Sequence, residues 1–365
     1  MSTQILFVGA TGYIGGTVLA KLIEHPSANT FSITVLTRSQ DKAKLIEEKF
    51  PQLKVVVGST DDEETLERLA SESHVVIGTA DADNLPAVKA ILRGLRKRHA
   101  TVGDLPIFIH TVETDDAMQG VLTTPDNGLK VGENVYDDAD PKSIASLPPT
   151  QVHRDVDLAI VEADEQGKPS VRNTRLEKIL IANRLGYLKS YIILPSTIYG
   201  LADHALTKAG ISNPRSIQVP LLIKASLRRG APGVVGKGVS IWPSVHIDEV
   251  ADLYIRILDG IVNNNPAVGH GADGFYFGIS DHHTWYELSK EIGRVMVQKG
   301  LTKSDEPTPF SDEELVKYFG SVEGGNYYGS TSRGIPNHSK AIGWDPKKTK
   351  KDLFASITPE LEALL

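Results

Sequence analysis

The chain has 365 residues, 40% hydrophobic and 23% charged, enough to bury a large core as one big domain or two unequal lobes. No run reaches the roughly 18 apolar residues of a membrane span and no charged-then-apolar leader precedes the first strand, so a cytoplasmic protein is expected. The absence of cysteine excludes disulfides, thiolate metal sites and cysteine nucleophiles, and a formal net charge of −7 without a dense Lys/Arg run argues against nucleic acid, leaving a small molecule as the expected partner.

Ile5 to Val8 reads as a short, fully buried parallel strand running straight into Gly9-Ala10-Thr11-Gly12-Tyr13-Ile14-Gly15. Ile14, Val18, Leu22 and Ile23 then recur at helical spacing. A strand, a Gly-x-x-Gly-x-x-Gly turn and a helix form a phosphate cradle. Gly9 permits the sharp bend, Gly12 a close approach of backbone to a pyrophosphate, and Gly15 a helix lying against the strand. Phe31 to Leu36 alternates as a second strand. It ends at Thr37-Arg38-Ser39, where Ser39 can cap a helix running through Phe50.

Leu53 to Val57 is a third strand, and Thr60 with Glu63 forms a capping box for a helix carrying Leu66 and Leu69. His74 to Gly78 is a fourth strand, Pro86 to Arg98 a fourth helix, and Ile107 to His110 a fifth strand. Strands alternating with helices over the first 110 residues predict an α/β doubly wound parallel sheet of the Rossmann type. Residues 113–150 are acidic and proline-punctuated, which suits a lid or a surface excursion. Helical pattern returns from His153 to Glu165 and from Val171 to Leu185, and Tyr191 to Leu194 is a sixth strand stopped by Pro195.

Beyond it strand signals thin out and helices dominate: 218–229, 248–262, and two opening with the capping boxes Thr284/Glu287 and Ser311/Glu314. The expected division is a dinucleotide-binding domain over 1–200 and a mostly helical substrate lobe over 201–365, with a crossing back to the sheet around 234–250.

Ligands of such sheets sit at the carboxyl ends of the strands. That places Gly78, Thr79 and Ala80 at the site, and also Thr111 and Thr114, whose hydroxyls could orient a substrate oxygen or merely cap a strand end. Arg38 and Ser39 follow the second strand, where an acidic residue would accept from a free ribose 2′-hydroxyl. A guanidinium with flanking hydroxyls suits a 2′-phosphate instead, so NADP(H) is expected over NAD(H), the alternative being a solvated Arg38. Asp61 or Asp62 could bond an adenine amine or only favour the helix dipole.

The glycine turn, Pro195-Ser196-Thr197-Ile198-Tyr199-Gly200, Val245-His246-Ile247-Asp248-Glu249-Val250-Ala251 and Lys340-Ala341-Ile342-Gly343-Trp344-Asp345-Pro346 stand in this order along the chain. Together they resemble the extended short-chain dehydrogenase/reductase superfamily. That group includes NAD(P)-dependent epimerases, dehydratases and carbonyl reductases, together with NmrA-like cofactor sensors. The resemblance implies that Gly9, Gly12 and Gly15, with Thr11, Tyr13 and Ile14 between them, hold the pyrophosphate. It implies too that Pro195 to Thr197 pass along the nicotinamide and that the substrate lies in a cleft between the lobes. His246 and Asp248 would organise the second lobe.

The departure from the family is its catalytic Tyr-x-x-x-Lys, which is absent between the fifth and sixth strands. His153 and Asp157 occupy the best register. On a helix, positions i and i+4 share a face, so Asp157 could accept from His153 and favour its imidazolium as the proton donor. An exposed surface pair is the plainer alternative. The stretch 168–186, with Arg172 to Lys178, reads as an extra helix whose basic face could meet a phosphate or solvent. His282 and His283 lack partners at metal-ligand spacing, so no metal site is expected.

Three readings follow: an NADPH-dependent reductase of a small organic carbonyl or imine, a catalytically silent NADP(H) sensor, and an epimerase or dehydratase. The missing Tyr/Lys pair weakens the last, which must oxidise an alcohol. Tyr199, Trp242 and Tyr276 could line a pocket or fill a core, and a homodimer is left open.

Overall fold

The computed structural model describes residues 2–112, 122–165 and 186–365. The first half alternates as expected: β1 (Thr3–Val8), α1 (Tyr13–Ile23), β2 (Phe31–Thr37), α2 (Gln40–Lys49), β3 (Lys54–Val57), α3 (Glu63–Ser71), β4 (Val75–Gly78), α4 (Leu85–Val102) and β5 (Ile107–Thr111). α5 (Arg154–Glu165) and β6 (Lys189–Pro195) follow. Local chemistry explains the boundaries. Asn84 accepts from the Ala87 N–H to start α4, Pro86 occupies its first turn, and Gly103 ends it in the left-handed region at φ +78°.

The second half consists of β7 (Thr197–Tyr199), α6 (Gln218–Arg229), β8 (Ile241–His246), α7 (Ile247–Val262), β9 (Phe275–Gly278), β10 (Asp281–Thr284), α8 (Trp285–Gln298), α9 (Asp312–Phe319) and α10 (Lys350–Glu362). Both expected capping boxes are present, Thr284/Glu287 on α8 and Ser311/Glu314 on α9. The box expected from Thr60 and Glu63 is not. Asp62 caps α3 by accepting from the Thr65 N–H at 3.0 Å.

The main sheet has seven parallel strands in the order β9-β6-β5-β4-β1-β2-β3. The order reverses between β1 and β4, which opens a crevice at their carboxyl ends. Alternation along β1 supplies both cores. Ile5 and Phe7 join α1 and α7 on one face, while Leu6 and Val8 join α3, α4 and α5 on the other. Burial on both faces is why these strands read as continuous apolar runs.

The second half departs from the expected organisation only in part. β8 lies in a separate three-stranded sheet, antiparallel to β10 and parallel to β7, yet Val245, Ile247 and Val250 already join the main-sheet core and α7, from Ile247, packs on α1. β9 then pairs with β6 as the seventh strand, so part of the 201–365 stretch completes the main sheet. The lobe proper has its own core, in which Tyr199, Trp242 and Trp285 pack among α6, α8 and α10.

The described part of the 113–150 excursion is fastened to the chain's far end. Thr123–Thr124 pairs with Thr331–Ser332, and Tyr136–Asp137 with Gly334–Ile335. Asp138 is the pin. Its buried carboxylate accepts from the backbone N–H of Phe277 (3.0 Å), His338 (2.6 Å) and Ser339 (3.1 Å) and from the Ser339 hydroxyl (2.7 Å). Asp138→Ala strands those donors and should lower the unfolding free energy by about 3 kcal/mol, read as a shifted denaturant midpoint at unchanged slope, with Asp138→Asn recovering part of the loss.

Candidate functional site

The site begins where β1 meets α1. Gly9 has φ +96°, and a Cβ there would stand 2.6 to 2.7 Å from Thr79 and the Ala80 nitrogen. A Cβ on Gly15 would come within 2.2 Å of the Gly9 carbonyl oxygen, so the helix can lie on the turn only as glycine. A Cβ on Gly12 meets one atom, the Gly9 oxygen at 3.3 Å, and otherwise projects into open space. No side chain caps α1 and no acidic residue sits in its first turn. That leaves its N-terminal dipole and N–H groups for an anion.

Thr79 locks the neighbouring loop, donating from both backbone and hydroxyl to the Val8 carbonyl. Thr11 offers only its carbonyl, to the Asn213 N–H at 3.0 Å. The Tyr13 hydroxyl donates to the Gly200 carbonyl at 2.5 Å, and the Gly200 N–H donates to Glu360 on α10 at 2.9 Å. Ile14 is buried in the core.

Beyond β2, Ser39 caps α2 by accepting from the Lys42 N–H. Arg38 is exposed and makes no hydrogen bond or ion pair with any described residue. Lys42, one turn into α2, is the residue that sequence reasoning missed. Its ammonium is held below its ordinary range, first by partial burial and then by the Arg38 charge. Neither cation has an ion pair among the described residues.

Asp61 is exposed and receives the Ser59 hydroxyl at 3.0 Å. Gly78, Ala80 and Thr60 border a small, part-open cleft that reaches down to Phe108 and His110. His110 was legible only as a strand end. Burial first, then the charge of His153, pushes its imidazole down to about 3, so it stays neutral.

Thr111 does not face this cleft. Its hydroxyl donates to the Gly78 carbonyl at 3.0 Å and shares a short hydrogen bond with the Tyr254 hydroxyl of α7, on the opposite face of the sheet. It therefore ties the ends of β4 and β5 to α7. Thr114, residues 168–185 of the expected extra segment and the expected helix over 171–185 lie outside the described residues. Pro195 pairs with Gly278 at the end of β6, and the wholly buried Thr197 hydroxyl has no hydrogen-bond partner among the described residues. Tyr199, Trp242 and Tyr276 fill cores. His246 is itself the cap of α7, accepting from the Asp248 N–H at 3.2 Å.

The expected His153–Asp157 pair is not formed. α5 starts at Arg154, and His153 precedes it with φ +65°, off the helical face that i, i+4 spacing assumes. Its Nδ1 lies 2.5 Å from Asp83 Oδ1 instead. Asp157 turns inward toward Arg154, 3.8 Å away, and neither carboxylate oxygen has a hydrogen-bond partner. Burial, opposed by the Arg154 charge, pushes it up to about 7.

The described structure thus has a topological switch point, a glycine turn and an uncapped helix N-terminus on one edge, the marks of a nucleotide-binding Rossmann fold. Residues 1–93 match the family model described as NmrA-like family. The chain is 25% identical over 317 residues to the oxidase ucsJ of an Acremonium species, covering 82% of this chain and 81% of that one. It shares the fold of the UDP-glucose 4-epimerase of Thermotoga maritima, with TM-score 0.58 at 17% identity over 99% and 98% of the two chains. The Thermus thermophilus UDP-glucose 4-epimerase, solved with NAD, gives TM-score 0.59 at 14% identity over the whole of both chains. Residues 1–93 thus resemble the NmrA-like family, and the chain as a whole shares its fold with these epimerases.

Asp157 yields a signed prediction. A folded-state value above the unfolded one of about 4 means that the native state holds the proton more tightly, so this contribution is present at low pH and fades as pH rises through about 7. Asp157→Asn, neutral throughout, should gain on the native protein between about pH 5 and about pH 8 by about 1 kcal/mol or more, measured as denaturant stability at each pH.

Proposed function

We propose that the protein is an NADP(H)-dependent reductase acting on a small organic carbonyl or imine. The observation that carries the choice of cofactor is the unneutralised Arg38–Lys42 pair at the carboxyl end of β2, beside the glycine turn. An anion placed there offsets the partial burial and the Arg38 charge that hold Lys42 down and gains charge-assisted hydrogen bonds, and a ribose 2′-phosphate is such an anion. The residues fit the phosphates of the dinucleotide too: open space over Gly12 and a bare helix N-terminus.

The bound cofactor would supply a hydride. This chain's residues would bind it, orient the substrate and exclude water. The name of the Acremonium relative, an oxidase, agrees with redox chemistry. The NmrA-like match and the lack of Tyr-x-x-x-Lys between the fifth and sixth strands favour a second reading, a silent NADP(H) sensor.

Fluorescence titration with NADPH and NADH tests the cofactor assignment. NADPH should bind more tightly, and Arg38→Ala with Lys42→Ala should cost NADPH about tenfold or more per lost cation while leaving NADH nearly unchanged. Unaltered NADPH affinity in the double variant would overturn the assignment. Consumption of NADPH with a panel of aldehydes, ketones and cyclic imines separates the reductase from the sensor, which would bind and not turn over.

A further inference from the structure

The cleft at the switch point has mainly apolar walls, with Val8, Leu66, Val88, Ile91 and Phe108 supplied by β1, α3, α4 and β5. Of its polar lining residues His110 alone is buried, at 2% exposure, and its Nε2 has no hydrogen-bond partner among the described residues. An unpaired imidazole in such surroundings costs stability that an apolar side chain would not, so its presence asks for a ligand. The other ring nitrogen is placed to meet one. Nδ1 lies beside Gly78 at the end of β4, which has no side chain to cover it. A Cβ added there would stand 3.6 Å from Nδ1 and 3.2 Å from the Phe108 ring. On the same cleft Asn84 commits its Oδ1 to the Ala87 N–H at 3.0 Å, which leaves its amide N–H groups as donors.

Burial and the neighbouring His153 keep the imidazole neutral down to about 3, so at any working pH one ring nitrogen donates and the other accepts. A group that suits it is uncharged and also does both, as a hydroxyl does. The cleft is small, with room for groups of about the size of a water, so it admits the hydroxyl edge of a ligand and not a ring system.

Sheet order decides which hydroxyls reach it. With the pyrophosphate on the glycine turn at β1 and the 2′-phosphate at Arg38 and Lys42 beyond β2, the other half of the dinucleotide runs away from β2, past β4 and toward β5. His110 ends that path, two strand spacings or about 10 Å from β1, within reach of a ribose joined to the second phosphate. We propose that His110, assisted by Asn84, binds the 2′,3′-diol of the nicotinamide-side ribose, an inference that rests on the dinucleotide reading above. Two adjacent hydroxyls offer donors and acceptors together, which is what a neutral imidazole and an amide N–H can use.

Calorimetric titration with three ligands tests this: NADPH; 2′-phospho-ADP-ribose, which keeps that ribose and lacks the nicotinamide; and adenosine 2′,5′-bisphosphate, which lacks both. His110→Leu should keep or raise the denaturant midpoint, because an unpaired buried polar group is removed. It should weaken NADPH and 2′-phospho-ADP-ribose about tenfold each and leave adenosine 2′,5′-bisphosphate unchanged. Gly78→Ala, whose methyl group would cover Nδ1, should repeat that pattern. Unchanged affinity for all three ligands in His110→Leu, or an equal loss of all three, overturns the assignment of His110 and leaves the dinucleotide reading standing. A wild-type protein that binds none of the three overturns both. Should His110→Leu fail to fold, unaltered affinity for 2′-phospho-ADP-ribose in Gly78→Ala is itself sufficient to overturn the proposal.

Discussion

The structure depends on one close backbone contact, the seat of the glycine turn against the loop that follows β4. Gly9, Gly15, Thr79 and Ala80 stand so near one another that a single added carbon at either glycine would overlap its neighbours. Everything at the carboxyl edge takes its position from that contact. It brings α1 onto β1, aims the bare helix end at the crevice, and holds the β4–α4 loop close enough for Asp83 to span to His153. Packing of this kind has little room to adjust, because beside the Thr79 hydroxyl the overlap is with backbone atoms that have no rotamer to change.

Much of the first half was legible in the sequence because a sheet buried on both faces writes itself as short apolar runs between amphipathic helices. β1 to β6 fall within one or two residues of the expected runs, and α6 spans the expected 218–229. The later strands were not legible. β7 has three residues, β8 contains Pro243, and β10 contains His282 and His283, so none carries a two-residue hydrophobic period. Their strand character comes from partners far away in the chain. β9, a four-residue aromatic run, becomes the seventh strand because β6 leaves it an edge.

The candidate site divides along the same line. Glycine geometry, Arg38 and Ser39 could be read locally, since a turn and a cap are properties of a few consecutive residues. Thr111 and the His153–Asp157 pair could not. Thr111 has its hydroxyl taken by Tyr254 from 143 residues away. His153 leaves the helix one residue before it starts, which redirects it to Asp83 and leaves Asp157 facing Arg154. Lys42 was hidden for a different reason. A lysine on a surface helix looks solvated until the fold sets a second cation against it.

The peptide at Gly200 joins the two extremes of the chain. On one side its carbonyl holds the tyrosine that opens α1, and on the other its N–H is held by a glutamate of α10. Fraying of the final helix would therefore release a restraint on the first, and the two should exchange amide hydrogen as one cooperative unit despite their separation in sequence. An appendage fused to the last residue would sit mechanically close to the nucleotide end of the molecule, whereas the amino terminus, at the opposite end of β1, would be the quieter place for it.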